Sequence, residues 1–220
     1  MIITIESLLD ADQIKLIQSQ LATASFVDGR TTAGWHARLV KQNQQLSRTS
    51  NLAKKLQEIV LTALGNNALF EAAAYPQRIH SLLFSRYEPG MEYGRHVDNA
   101  LMGSGDRADL SFTLFLSDPD SYSGGALVIE GACDEQSFRL PAGSLLLYPS
   151  STLHRVEPVE QGYRLACVGW VQSWIRDPAK RELLFDLDTA RRSLFAREGK
   201  SIEFDLLSKT YANLLRRWLE

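Results

Sequence analysis

From Ile79 to Ser173 the apolar residues come in short runs, rich in β-branched and aromatic types, and each run is closed by turn residues. No other feature constrains the fold as much. The pattern predicts strands near residues 79–88, 93–98, 108–117, 125–130, 136–141, 144–149, 153–158 and 163–173. The breaks between them are Pro89-Gly90, Gly103 to Gly105, Gly124-Gly125, Pro141 to Gly143, Pro149 to Ser151 and Gln161-Gly162. Eight short strands with no helix-length segment between them argue against alternating βαβ units and point to a sandwich or jelly roll.

The flanks read differently. Ile2 to Ile5 alternates like a short strand, and Ser7 or Asp10 can cap a helix carrying Ile14, Ile17 and Leu21. A polar stretch runs from Asp28 to Gly34. A second helix starts at Ser50 or Asn51, sets Leu52, Leu56, Ile59, Val60 and Leu64 on one face, and stops at Gly65-Asn66. Beyond Trp174, Asp177-Pro178 opens a helix with Leu183, Leu184, Leu187, Leu194 and Phe195 as its apolar positions. Gly199 ends it, and residues 202–219 read as another helix. The expected class is α+β. Residues 1–175 form one domain whose β core spans about 78–175, and residues 176–220 form a C-terminal helical hairpin that packs on the core or against a second copy of the chain.

Composition narrows the partners. With 220 residues, 45% of them hydrophobic and 23% charged, the chain is an ordinary globular one. A net charge of −2 gives no basic surface for a phosphate backbone, so no nucleic-acid partner is expected. The N-terminus lacks a basic leader segment and no apolar run approaches bilayer length, so a soluble, cytoplasmic protein without membrane contact is expected. Cys133 and Cys167 lack metal-binding spacing and read as reduced core thiols, with a disulfide between them left open.

The chemistry sits in Arg86-Tyr-Glu-Pro-Gly-Met-Glu-Tyr-Gly-Arg-His-Val-Asp98. On a strand, His96 and Asp98 point to one face and Val97 to the other. His154, at the start of a later strand, can supply a third ligand. Two histidines and one carboxylate on one face of an octahedron leave three positions open, the arrangement used by non-haem Fe(II) oxygenases. Arg164 follows His154 across the turn at Gln161-Gly162, and a guanidinium there can grip the far carboxylate of a dicarboxylate chelating the metal. Arg164, Ala166, Val168 and Trp170 share a strand face that is basic at one end and apolar beyond. Taken singly, each residue has a plain structural reading: a core histidine, a solvated arginine, a core aromatic. Their order and spacing favour the site. His36 and His80 have no such company and read as structural, though His80 opens a strand and could line the cavity.

These residues resemble the 2-oxoglutarate- and Fe(II)-dependent dioxygenase superfamily, most closely its prolyl-hydroxylase-like branch. Tyr87-x-x-Gly90-x-x-Tyr93-x-x-His96-x-Asp98 is similar to that branch's approach to the metal. Gly124-Gly125-Ala-Leu matches its Gly-Gly motif, except that Ala126 stands where an acid is usual. Pro141 to Pro149 resembles its strand pair before the distal histidine. The likeness is strongest over 78–175, and with the helical tail the chain resembles the bacterial PKHD-type hydroxylases, a group associated with iron uptake. The resemblance implies a double-stranded β-helix, Fe(II), 2-oxoglutarate as co-substrate, dioxygen and L-ascorbate. It implies hydroxylation with release of succinate and CO2. It makes His96, Asp98 and His154 the catalytic metal ligands and Arg164 the co-substrate anchor. It makes Tyr87 a co-substrate contact and Trp170 a wall of the same pocket, with Ser111 and Thr113 as weaker polar liners. The carboxylate of Asp98 favours hydroxylation over halogenation, since related halogenases lack it.

Two rival readings stay open: a non-catalytic jelly-roll binding module, which a metal titration separates, and a cupin-like metalloenzyme that does not use 2-oxoglutarate. The substrate, whether protein, peptide or metabolite, is not legible. The segments expected to form its site are 28–45 and 101–109.

Overall fold

The computed structural model describes residues 1–103 and 105–219. The chain begins with β1 (Ile3–Ile5), α1 (Ala11–Ala22), β2 (Phe26–Asp28), β3 (Lys41–Gln42), β4 (Gln44–Leu46), α2 (Asn51–Gly65) and α3 (Ala68–Ala74). Then come β5 (Pro76–Tyr87), β6 (Glu92–His96), β7 (Leu110–Phe115), β8 (Ser123–Gly124), β9 (Leu127–Glu130) and β10 (Glu135–Phe138). The last strands are β11 (Leu145–Pro149), β12 (His154–Val156), β13 (Val159–Gln161) and β14 (Arg164–Ser173), before α4 (Pro178–Glu198) and α5 (Ile202–Trp218).

The strands form an antiparallel jelly roll. A seven-stranded sheet runs β1-β11-β7-β14-β5-β4-β2, and a five-stranded sheet runs β10-β9-β12-β6-β3. A small β13-β8 pair stands apart. Period-two alternation sorts the side chains of the large sheet. Leu110, Phe112 and Leu114 join the core built with Ile17 and Leu21 of α1, Leu56, Val60 and Leu64 of α2, and Phe70 of α3. The next residues along, Ser111 and Thr113, line the cavity between the sheets, and Phe115 packs there with Leu127, Ile129, Leu146 and Val156. A strand buried on both faces is thus apolar toward the helices and partly polar toward the interior, which marks the interior as the working face.

The helix starts follow local chemistry. Asp10, rather than Ser7, caps α1 in a reciprocal capping box with Gln13, Ser50 caps α2, and Asp177 caps α4 ahead of Pro178.

Several expectations need correcting. The large sheet gains β2 and β4 and the small one gains β3, from residues 26–46, where no strand was expected. The turn α3 was not expected. The strand expected over 93–98 ends at His96, so Asp98 lies just past it. In α4 the buried positions are Arg181, Leu184 and Asp188, while Leu183 is 58% and Phe195 50% exposed. Arg181 and Asp188 are tolerated inside because each is paired, Arg181 to the carbonyls of Ile175 and Arg176 and Asp188 to Arg191 and Arg192. The helices α4 and α5 pack on one another, and Tyr75 meets Tyr211 hydroxyl to hydroxyl at 2.9 Å. No helix among the described residues is long and apolar enough to cross a membrane.

Candidate metal centre and co-substrate cavity

His96 and His154 are direct cross-strand partners, since β6 and β12 pair antiparallel with these two residues opposite one another. Residues so paired send their side chains to the same face, and the two rings lie 4.3 Å apart. Asp98 folds back from the end of β6. Its Oδ1 lies 4.0 Å from His96 Nε2 and its Oδ2 3.8 Å from His154 Nε2. One ligand atom from each of the three residues falls within 4.8 Å of the others, so the cluster could hold one metal ion.

The second ring nitrogens fix which atom faces inward. His96 Nδ1 donates to the Gly94 carbonyl at 2.8 Å, and His154 Nδ1 donates to the Thr152 carbonyl at 3.0 Å. A carbonyl only accepts, so each Nδ1 carries the proton and each Nε2 offers a lone pair to the centre. Burial, and then the neighbouring His154, push His96 down to about 4 against the pull of Asp98, which keeps it neutral at physiological pH. Ser111 donates to Asp98 Oδ2 at 2.6 Å and touches Ser150 at 2.7 Å, fixing the carboxylate. The stacked ring of Tyr93, 3.6 Å from His96, holds that imidazole from its other face.

The cluster opens on a cavity of about 300 Å³ between the sheets. Its large-sheet wall is a set of cross-strand rows. Arg164 pairs with Tyr87, and because Gln44 pairs with Arg86, Asn43 stands next to Tyr87 in the same row. The next row is Gln45, Ser85 and Ala166, followed by Leu83, Val168 and Thr113. Trp170 lies opposite Ser111, which lies opposite Tyr148. The register slips by one between Val168 and Trp170, where β5 carries an extra residue and Ser81 has φ 59°.

Arg164 is 1% exposed, yet its Nε and Nη2 have no hydrogen-bond partner. Its guanidinium sits 5.3 Å from the Tyr87 ring and 5.4 Å from Phe115. Nε and Nη2 form the side of a guanidinium that grips a carboxylate with two parallel bonds, so this buried edge fits a dicarboxylate. The Trp170 indole nitrogen is also buried without a partner. Burial pushes the Tyr87 phenol up, against the opposing pull of Arg164. Elsewhere, His80 bonds the Arg107 carbonyl at 2.9 Å and does not line the cavity, and neither does His36.

Segment 28–45 was expected to border the substrate site, but sequence reasoning singled out none of its residues. Lys41, Asn43 and Gln45, at 4%, 5% and 1% exposure, alternate with the more exposed Gln42 and Gln44 and all line the cavity. Asn43 is the single residue between β3 in one sheet and β4 in the other. A period of two in which every inward position is polar was the available signal, and it is easily taken for loop.

The Gly124-Gly125 motif has a steric cause. Both have positive φ, 68° and 61°. A Cβ on Gly124 would sit 2.1 Å from the Pro158 carbonyl oxygen, and one on Gly125 would meet Val159 at 2.9 Å and Arg164 Cδ at 3.2 Å. Gly125 thus leaves the passage through which Arg164 reaches its place. Gly125→Ala should cost about 1–3 kcal/mol of stability, read as a lowered melting temperature. An unchanged melting point would show that the site can relax.

The comparisons with known proteins agree with this geometry. The 2OG-Fe(II) oxygenase superfamily matches residues 82–172, and the PKHD-type hydroxylase C-terminal domain matches 178–220. A PKHD-type hydroxylase of Synechococcus elongatus is 87% identical over 100% of both chains. Another, from Rippkaea orientalis, is 59% identical over 99% of each. Among solved structures, a Pseudomonas putida prolyl-4-hydroxylase aligns with a TM-score of 0.55 at 20% identity, over 78% of this chain and 92% of its own. A Trichoplax adhaerens prolyl hydroxylase, solved in complex with a hypoxia inducible factor oxygen degradation domain peptide fragment, aligns with a TM-score of 0.56 at 14% identity, over 83% and 86%. The structural likeness carries the jelly-roll fold. Identity of this degree along the entire length carries more: the chain belongs to the PKHD-type hydroxylases, a family of 2-oxoglutarate- and Fe(II)-dependent dioxygenases.

Proposed function

We propose that this dioxygenase holds Fe(II) on His96, Asp98 and His154, anchors 2-oxoglutarate on Arg164, and hydroxylates a substrate with release of succinate and CO2. The observation that carries the reading is the unpaired guanidinium edge of Arg164, buried in the same cavity that the three donors face. A buried cation with open donors is costly unless a ligand fills them. When bound, the ferrous ion and its co-substrate supply the oxidative chemistry. The protein supplies the rest. The two Nδ1 bonds orient the imidazoles, Ser111 orients Asp98, and the Tyr87 hydroxyl would donate to a co-substrate held by Arg164. Trp170 closes the wall, and the apolar side chains of Leu83 and Val168 exclude water.

The test is oxygen uptake and succinate release with Fe(II), with and without 2-oxoglutarate. Turnover that requires both supports the assignment. Metal binding with no 2-oxoglutarate requirement would point to cupin-like chemistry, and no metal binding would point to a binding module. Ser111→Ala should weaken Mn(II) binding by about 10–100-fold through a loosened Asp98, measured by titration. Unchanged affinity would remove Ser111 from that role.

Further readings rest on the resemblance. We assign L-ascorbate as the reductant that maintains ferrous iron, and a place in iron uptake, tested by expression and growth under iron limitation. We place the protein in the cytoplasm, where unpaired cysteines such as Cys133 and Cys167 are ordinary. Homodimer formation through α4 and α5 is favoured by the exposed Leu183, Ile202 and Leu206. Light scattering on Leu206→Glu and the parent chain checks it.

A further inference from the structure

Charge in the cavity beyond the co-substrate slot bears on the substrate, given the co-substrate reading above. Asp98 is the one acid among the described residues lining the cavity, whereas Lys41, Arg48 and Arg164 all line it. With 2-oxoglutarate on Arg164, its two carboxylates and that of Asp98 match the charges of ferrous iron and Arg164. Lys41 and Arg48 are left over. Arg48 is exposed to solvent.

Lys41 is the informative one. It is 4% exposed, donates to Thr32 Oγ1 at 3.0 Å, and lies 4.9 Å over the Tyr93 ring that stacks on His96. An ammonium has three donors, and the hydroxyl and the ring face account for two. Among the described residues no carboxylate lies within ion-pairing distance of it. Asp98 and Asp28 act on it from farther off, and Asp28 already faces Arg30 at 3.8 Å. Burial pushes Lys41 down to about 8, which still leaves it mostly charged at neutral pH. The ammonium is also held in place. Thr32 bonds Gln45 at 2.6 Å, and Gln45 bonds Ser85 at 3.2 Å, tying the segment to β5. Proteins keep a buried, fixed, unmatched cation where a ligand brings the opposite charge. A cavity this small, which must also hold the co-substrate, admits a compact anion.

We propose that the primary substrate presents a carboxylate to Lys41, so that its oxidised C–H bond lies between that carboxylate and the His96–Asp98–His154 cluster. The carboxylate belongs to a small organic acid or to an acidic residue of a peptide, and the test separates them.

The experiment is isothermal titration of the full chain loaded with Mn(II) and 2-oxoglutarate. The probes are matched pairs: benzoate and benzamide, hexanoate and hexanamide, and end-capped glutamate and glutamine. At least one anion should bind tighter than its amide by about tenfold, the effect expected of a charge-assisted bond. A preference among the first two pairs alone assigns a small acid, and one including capped glutamate assigns an acidic residue. Lys41→Met should erase the preference, Lys41→Arg should retain much of it, and Mn(II) and 2-oxoglutarate affinities should stay within about twofold in both. Lys41→Gln replaces the methionine variant if that melts early. No preference in the parent chain, a preference surviving loss of the ammonium, or a matching loss of 2-oxoglutarate affinity would each overturn the proposal. Failure of the parent chain to bind 2-oxoglutarate at all would instead overturn the co-substrate reading.

Discussion

His154→Ala should lower 2-oxoglutarate turnover on the order of a thousandfold or more, with the far-ultraviolet circular dichroism unchanged. The imidazole is one of three donors around a single point, and two remaining donors do not define an open octahedral face. The fold should survive because His154 lies on a short strand whose neighbours Ile129 and Val156 belong to the inter-sheet core. The lost bond to the Thr152 carbonyl costs about 0.5–1.5 kcal/mol, small beside the two cores. Succinate release and Mn(II) titration are measured together. Normal turnover would remove His154 from the ligand set, and turnover lost with the metal still bound tightly would give it another task.

Arg164→Leu should weaken 2-oxoglutarate binding by about 2–5 kcal/mol, roughly thirtyfold to several thousandfold, while leaving Mn(II) affinity nearly intact. Its effect on stability should have the opposite sign from a usual core mutation. Without ligand the guanidinium is a buried charge with two unpaired nitrogens, and replacing such a group with an apolar one is often neutral or stabilising. The ligand-free variant should therefore melt at or above the parent's temperature, and the rise on adding Mn(II) and 2-oxoglutarate should shrink. A full ligand-induced rise in the variant would mean that the anchor lies elsewhere.

The parts of the molecule that were legible share a cause. Where a strand is apolar on the face it shows the helices, as with Leu110, Phe112 and Leu114, alternation betrays it. Where short strands turn polar residues inward, as with Lys41 of β3, Asn43 between the strands and Gln45 of β4, the period survives but hydrophobicity does not mark it. The same holds in α4, where the paired Arg181 and Asp188 take core positions that an apolar stripe was expected to fill. The meeting of His96 and His154 was readable because cross-strand pairing sets them opposite one another, whereas Asp98 joins them from just past the end of β6 and Arg164 enters the cavity from the other sheet. The orienting groups were only partly readable. Ser111 was noted as a polar liner, but its bond to Asp98, like the Gly94 and Thr152 carbonyls behind the histidines, depends on tertiary contacts.

The most direct measurement is a crystal structure of the protein grown anaerobically with Mn(II) and 2-oxoglutarate. A single ion bound by both Nε2 atoms and by Asp98, with the co-substrate's far carboxylate on Arg164 Nε and Nη2, is the result required here. An ion seated on other residues, or a far carboxylate pointing away from Arg164, would contradict it.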